Sequence, residues 1–225
     1  MEKSKKLIIV GDSAFAEVAY ELFQHDSAYE VVAFSVSKEF ITKDSLFGLP
    51  VISFDDIEEK YPPSEYEMHI ALVYNKLNRN REKLYNEAKA KGYTLANYIS
   101  SHAFVWKNVE IGDNVFIFED NTIQPFVKIG SNNVFWSGNH IGHHSVLGDH
   151  LFISSHVVIS GFCTVGNNCF IGVNSTVGNN INIGKDCLIG AGCLIVKDTG
   201  DAKLYKGTPN RADEVNIYEK FGIKE

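Results

Sequence analysis

Five of the chain's eight histidines fall within seventeen residues: His140, His143, His144, His150 and His156. Imidazole exchanges protons near neutral pH and is also the commonest metal ligand, so this cluster predicts either a general base or a metal site. A second chemical signal lies near the start. The apolar run Leu7-Ile8-Ile9-Val10 ends in Gly11-Asp12-Ser13, and Phe15, Val18, Ala19, Leu22 and Phe23 follow at helical spacing. A strand leading into a helix N-terminus presents backbone N–H groups able to hold phosphate. The loop is a poor dinucleotide fingerprint: it has one Gly, an Asp12 that repels phosphate, and a second strand ending in Ser35-Val36-Ser37 with no acid for an adenosine ribose. A looser nucleotide pocket and a structural turn both fit it.

The elements that position the histidines follow from a repeat. Sixteen positions spaced six apart from Val105 to Ile195 are aliphatic or Phe without a slip in phase. A period of six fits a parallel β-helix in which each hexad forms one short strand and one corner. Eighteen residues then make one three-sided coil, coils stack about 4.8 Å apart, and the register gives about five of them. Cys163, Cys169, Cys187 and Cys193 all lie two positions before a core residue, a slot shared with Ala103, Val109, Val115, Leu151 and Ile181. They are expected to point inward as small hydrophobes and to remain free thiols.

Residues 1–101 show alternating strand and helix signals, expected as a small βαβ domain. Strands are predicted at Leu7–Val10, Val31–Phe34, Val51–Ser53, Ile70–Val73 and Tyr93–Ala96, with a helix bearing Leu77, Leu84, Tyr85 and Ala88. The β-helix is expected over 102–198 and a capping segment over 199–225. The small domain would cover one end of the stack and the last segment the other. A formal charge of −7 offers no basic footprint for nucleic acid or anionic membrane. No signal peptide or membrane-spanning run is apparent, so the expected compartment is the cytoplasm.

The repeat sorts the histidines. The slot three after each core residue is filled by Asn114, Asp120, Asn132, Gly138, Asn168, Asn174, Asn180, Asp186, Gly192 and Asp198, residues at home in left-handed corners. His144, His150 and His156 share that slot, and His140 precedes a core position and faces outward. His143 has no such backbone reason. The eighteen-residue rule stacks it between Pro125 and Gly161, pairing a proton acceptor with an exposed N–H. That combination suits acyl transfer, in which a base deprotonates the nucleophile and an N–H polarises the acyl carbonyl.

The segment Asn139–Asp149, the hexads up to Asp198 and the turn Gly207-Thr208-Pro209 resemble the hexapeptide-repeat sugar acyltransferases. The chain is similar, more narrowly, to bacterial N-acetyltransferases of nucleotide-linked amino sugars (the bacillosamine-pathway type) and to sialic-acid O-acetyltransferases. The resemblance implies a left-handed β-helix, a homotrimer, and acetyl-CoA as co-substrate in the groove between subunits. It places the catalytic base on His143, with His144 in the neighbouring position. It also puts the acetyl-carbonyl contact on Gly161, further CoA contacts on Asn179, Ala191, Gly207, Pro209 and Arg211, and nucleotide contacts on Gly11, Ser13 and Ala14. Two departures stand out. His144 occupies the place where the family often has an acid, so another group or a water must orient His143. Ser35-Val36-Ser37 replaces the acids of uridine-binding members, pointing to another nucleotide carrier. No metal is expected, because no two histidines here have the His-x4-His spacing by which hexapeptide-repeat carbonic anhydrases bind zinc, and the positions two coils before His144 and His150, where their third His would stand, are Asn108 and Asn114.

The expected activity is therefore acetyl transfer from acetyl-CoA to the amino group of a nucleotide-linked amino sugar in surface-glycan synthesis. O-acetylation of a sugar hydroxyl is the alternative on the same scaffold, and a non-catalytic trimeric binding protein is the alternative of another class. The aromatic residues Phe116, Phe118, Phe126, Trp136 and Phe152 are expected to be exposed and to need a partner surface.

Overall fold

The computed structural model describes residues 2–207 and 217–223. Leu7, Ile8, Ile9 and Val10 are all buried in β1 (Lys5–Val10), as a strand covered on both faces requires. With β2 (Tyr29–Val36), β3 (Ser45–Leu46), β4 (Leu49–Ser53) and β5 (Tyr66–Ile70) it forms a five-stranded sheet of order β3-β4-β2-β1-β5. All pairings are parallel except the β3–β4 hairpin. α1 (Ala14–His25) buries Phe15, Ala16, Ala19 and Phe23; α2 (Ile57–Lys60) is a single turn; α3 (Arg79–Ala90) follows β5.

Three details differ from the sequence expectation. The fourth long strand ends at Ile70 instead of beginning there, because its partner β1 ends at Val10 and Ala71 makes the last contact, N–H to the Val10 carbonyl at 2.8 Å. Leu77 is not helical: Lys76, Leu77 and Asn78 run at φ 51°, 50° and 67°, a left-handed turn that delays α3 to Arg79. Around Tyr93–Ala96 the only ladder contact is one parallel bridge, Met68 with Leu95.

The rest of the chain winds into a prism of two-residue strands forming three parallel sheets, the left-handed β-helix. Strands pair with those eighteen residues on, as Thr122 with His140 and His140 with Val158. Core positions such as Ile123, Ile141, Ile159 and Val177 are fully buried, and all four cysteines are free and buried beside them. The corners are left-handed at every sixth residue from Asn114 to Gly192. The stack starts at Tyr98–Ile99, paired with Phe116–Ile117, and extends past Asp198 to Leu204–Tyr205, paired with Leu188–Ile189.

The small domain does not simply cover an end. It lies along one face of the prism, where Phe15 and Phe23 of α1 pack on Phe116 and Tyr74 packs on Phe152 and Phe170. Phe116, Phe118 and Phe152 are thus buried and Trp136 half-buried, while Phe126 is 55% exposed. The expected aromatic partner surface is mostly an intrachain interface. Residues just before each core position point out of the prism, and the sequence gives no sign of which outer face a separate domain will cover.

Two buried cations or potential cations tie the halves together. Arg81 of α3 is fully buried and donates to the carbonyls of Leu151 (2.8 Å), Asn132 (3.3 Å) and Leu72 (3.3 Å) and to Asn78 Oδ1 (3.2 Å). Burial holds its guanidinium down to about 9, still charged at pH 7. His69 of β5 is fully buried between the rings of Phe23 (5.1 Å) and Phe116 (5.3 Å). Desolvation lowers its proton affinity from 6.5 to about 4, with the Arg81 charge adding to the effect against a hydrogen bond to the Ala96 carbonyl. In the unfolded chain this imidazole charges below 6.5 while the folded chain keeps it neutral. Stability should therefore fall as pH drops from 6.5 toward 4, by up to about 3 kcal/mol. Urea midpoints across that window should decline less steeply for His69→Gln than for the natural chain; equal slopes would show that His69 does not carry the effect.

Candidate active site

His143 lies at the edge between the two prism faces not covered by the small domain, between the strands His140–Ile141 and Val146–Leu147. Its ring is directly over Gly161 of the next coil: a Cβ on Gly161 would fall 3.0 Å from His143 Cε1 and 3.1 Å from Nε2. A side chain there would press on the imidazole and shift it by a few tenths of an ångström, so Gly lets the ring lie flush on the backbone. The His143 N–H donates to Gln124 Oε1 at 2.9 Å, and His143 Nδ1 is 3.1 Å from His144 Nδ1. The Gly161 N–H, expected to be exposed, belongs to a buried residue and already donates to Oδ1 of the exposed Asn179 at 3.1 Å, so it can meet an acyl oxygen only if Asn179 gives way.

His144 shares this edge, whereas His150 and His156 lie on others. His144, His150 and His156 have φ of 60°, 62° and 57°, as their corner slot predicts. His150 turns to the small domain, bonded to Asn132 (2.8 Å) and 3.8 Å from Glu82, and burial lowers its proton affinity. His156 packs against Gly138. Among the described residues no three His, Cys, Asp or Glu side chains converge as metal ligands would.

The structure brings His143, His144, Gly161 and Asn179 together. Ala191 and Gly207 meet at another edge of the prism, where Gly207 packs closely over the Ala191 carbonyl. Pro209 and Arg211, with Thr208, lie outside the described residues.

A second region opens at the carboxyl ends of β1, β2 and β5, where chain connections leave β1 and β5 in opposite directions, the usual place for a ligand in an open α/β sheet. It is a cleft of about 700 Å³ lined by Gly11, Asp12, Ser13, Ser35, Ser37, Phe40, Lys76, Asn80 and Lys83. Ala14 begins α1 and is not among the lining residues. Gly11 sits at φ 126° with the Ala71 carbonyl where a Cβ would project, so a side chain is excluded there. Asp12, read from sequence as repelling phosphate, is paired with Lys43 at 3.4 Å. The Ser35 hydroxyl is buried at the cleft wall with no hydrogen-bond partner among the described residues. A buried hydroxyl without a partner is costly, and a polar ligand would satisfy it.

Sequence reasoning reached Ser35 through the resemblance but missed Lys76, Asn80 and Lys83, which a segment distant in the chain brings to the same cleft. It also missed Phe126 and Phe162 beside His143, although a sequence sign existed: both occupy the slot otherwise held by Asn, Asp, Gly or His.

Residues 162–197 match the family model for the bacterial transferase hexapeptide (six repeats). No curated protein sequence matches the chain. Solved structures match over nearly its whole length. One is the acetyltransferase domain of PglB from Neisseria gonorrhoeae FA1090 in complex with acetyl coenzyme A, at 23% identity over 91% of this chain and 97% of that one, with a TM-score of 0.81. Another is PerB from Caulobacter crescentus in complex with CoA and GDP-perosamine, at 26% identity over 91% and 95%, with a TM-score of 0.80. A third is a variant of perosamine N-acetyltransferase from Caulobacter crescentus with the same two ligands, at 25% identity over 91% and 94%, with a TM-score of 0.69.

Proposed function

We propose that this chain is an acyltransferase that moves the acetyl group of acetyl-CoA to the amino group of a nucleotide-linked amino sugar, with His143 as general base. The observation that carries the reading is the imidazole of His143 lying over the Gly161 backbone at an exposed prism edge. The likeness to PerB, whose structure holds CoA and GDP-perosamine, supports the substrate pair. In the reaction the neutral amine attacks the thioester carbonyl and a C–N bond forms. His143 Nε2 takes the amine proton, the C–S bond breaks, and the proton passes to the departing CoA sulfur. Asn179 rotating aside frees Gly161 N–H for the carbonyl oxygen as negative charge grows there.

The cleft at Gly11 and Ser13 takes the nucleotide, with Lys76 and Lys83 near its phosphates. His143 lies on the edge opposite the face that the small domain covers, so a sugar held in the cleft is met by the His143 of a neighbouring copy. This favours a homotrimer, with CoA between subunits touching Asn179, Ala191 and Gly207. Residues 1–101 then bind the nucleotide sugar, 102–198 carry the chemistry, and 199–207, the described start of the last segment, close the CoA end. Among the described residues no helix is long and apolar enough to cross a membrane. Four free buried thiols suit a reducing cytoplasm.

Two tests follow. The pair Lys76→Ala and Lys83→Ala, made together, should raise KM for the nucleotide sugar roughly tenfold and leave KM for acetyl-CoA unchanged, since phosphate contacts act through charge. An unchanged sugar KM would remove the cleft from the account. Mild alkali separates the acceptors: an amide product survives it, whereas release of acetate would mean a hydroxyl acceptor.

A further inference from the structure

The edge that carries His143 is unlike every other corner of the prism. Three successive coils place Phe126, His144 and Phe162 at φ 66°, 60° and 59°, in a slot filled elsewhere by Asn, Asp, Gly or another His. A bulky aromatic in the left-handed region is an outlier, and such strain collects at functional sites. The three rings form a ladder. Phe126 stacks on His144 at 4.6 Å and 27°, and Phe162 stacks on its other face at 4.9 Å and 17°. Phe162 also meets the His143 ring edge-on at 5.0 Å and 89°. His143 and His144 face each other through Nδ1 at 3.1 Å.

We infer that His144, clamped between Phe126 and Phe162, is the positioning residue that fixes the tautomer and orientation of His143; this rests on His143 being the base. Two imidazoles joined through Nδ1 can share that bond only when one nitrogen carries a proton and the other is bare. A base working through Nε2 keeps its proton on Nδ1. His143 therefore donates Nδ1–H, and His144 accepts at a bare Nδ1 with its own proton on Nε2. When His143 Nε2 takes the proton of the attacking amine, the same bond becomes charge-assisted and strengthens. His144 does the orienting work of a carboxylate without bringing a negative charge. The aromatic faces on either side stop its ring from turning, which would lose the bond. Around the pair stand Gln124, Gly161 and the two phenylalanines, and no charged side chain among the described residues is bonded to either ring.

The test uses the full-length chain with acetyl-CoA and its amino-sugar acceptor. His144→Asn keeps an acceptor and suits left-handed backbone, so kcat should stay within about threefold of the natural chain. His144→Leu should lose about tenfold or more in kcat, with KM for acetyl-CoA unchanged. The pair Phe126→Asn and Phe162→Asn relieves backbone strain yet frees the ring, so it should lose kcat while thermal stability holds. His144→Asp sets a carboxylate against His143, favours its charged form, and moves the acid limb of the kcat/KM profile to higher pH. A limb unmoved by His144→Asp, with His144→Leu as active as His144→Asn, overturns the inference and leaves His144 a corner residue. Full activity in His143→Ala would instead overturn the proposed base.

Discussion

Exchange of His143 for alanine lowers kcat by a factor of about 10² to 10⁴, the usual worth of a positioned general base. The loss falls on kcat because His143 acts on the amine proton as the C–N bond forms. KM for the nucleotide sugar, set in the cleft, changes little. The fold tolerates the exchange: His143 is exposed, its backbone bond to Gln124 remains, and no core residue loses a contact. Thermal unfolding should match the natural chain within about 2 °C, since exposed sites seldom matter to stability. Activity within a factor of about three of the natural chain, measured by product formation, would rule out His143 as the base.

Replacing Arg81 by alanine should cost about 3 kcal/mol or more in stability. The guanidinium reaches the carbonyls of Asn132 and Leu151 on neighbouring coils and that of Leu72 after β5, so one side chain joins the prism to the sheet domain. Its removal opens a cavity and takes a donor from the carbonyls of Asn132 and Leu72 and from Asn78 Oδ1, while the Leu151 carbonyl keeps the Val134 N–H. In a chain of this size that amounts to a fall in Tm of about 6 to 12 °C. Arg81→Met restores most of the volume and none of the hydrogen bonds, so its deficit relative to Arg81→Ala separates packing from polar satisfaction. A Tm within 2 °C of the natural chain for both variants would mean that the halves are held by their other contacts, among them the aromatic packing on Phe116 and Phe152 and the hydrogen bond from Ile70 N–H to Asn114 Oδ1.

The prism was readable because its period is strict. A side chain every six residues either enters the core or does not, and Asn, Gly, Asp and His at the third following slot marked the corners. The same arithmetic stacks His143 on Gly161, and it would also have paired Gly161 with Asn179, one coil further on. The docking of the small domain was not readable in this way. Phe116, Phe118 and Phe152 look exposed on a prism taken alone, and the side chains that cover or flank them, among them Phe15, Phe23, His69 and Tyr74, lie far away in the chain. Arg81 has the helical neighbours of a surface residue, and nothing local announces that carbonyls of Asn132 and Leu151 await it. The cleft unites residues from 10 to 84 through strand order. The turn at Lys76–Asn78 defeats prediction because three consecutive non-glycine residues adopt a backbone that each avoids alone.

The measurement that tests the central claim most directly is release of CoA thiol from acetyl-CoA. It should be followed with uridine-, thymidine- and guanosine-linked amino sugars, with His143→Ala alongside. Thiol release with one of these acceptors, matched mole for mole by an alkali-stable acetylated product and lost in His143→Ala, is the predicted result. No release with any of them, while calorimetry finds no CoA binding, would contradict it and leave a β-helix that binds without catalysing.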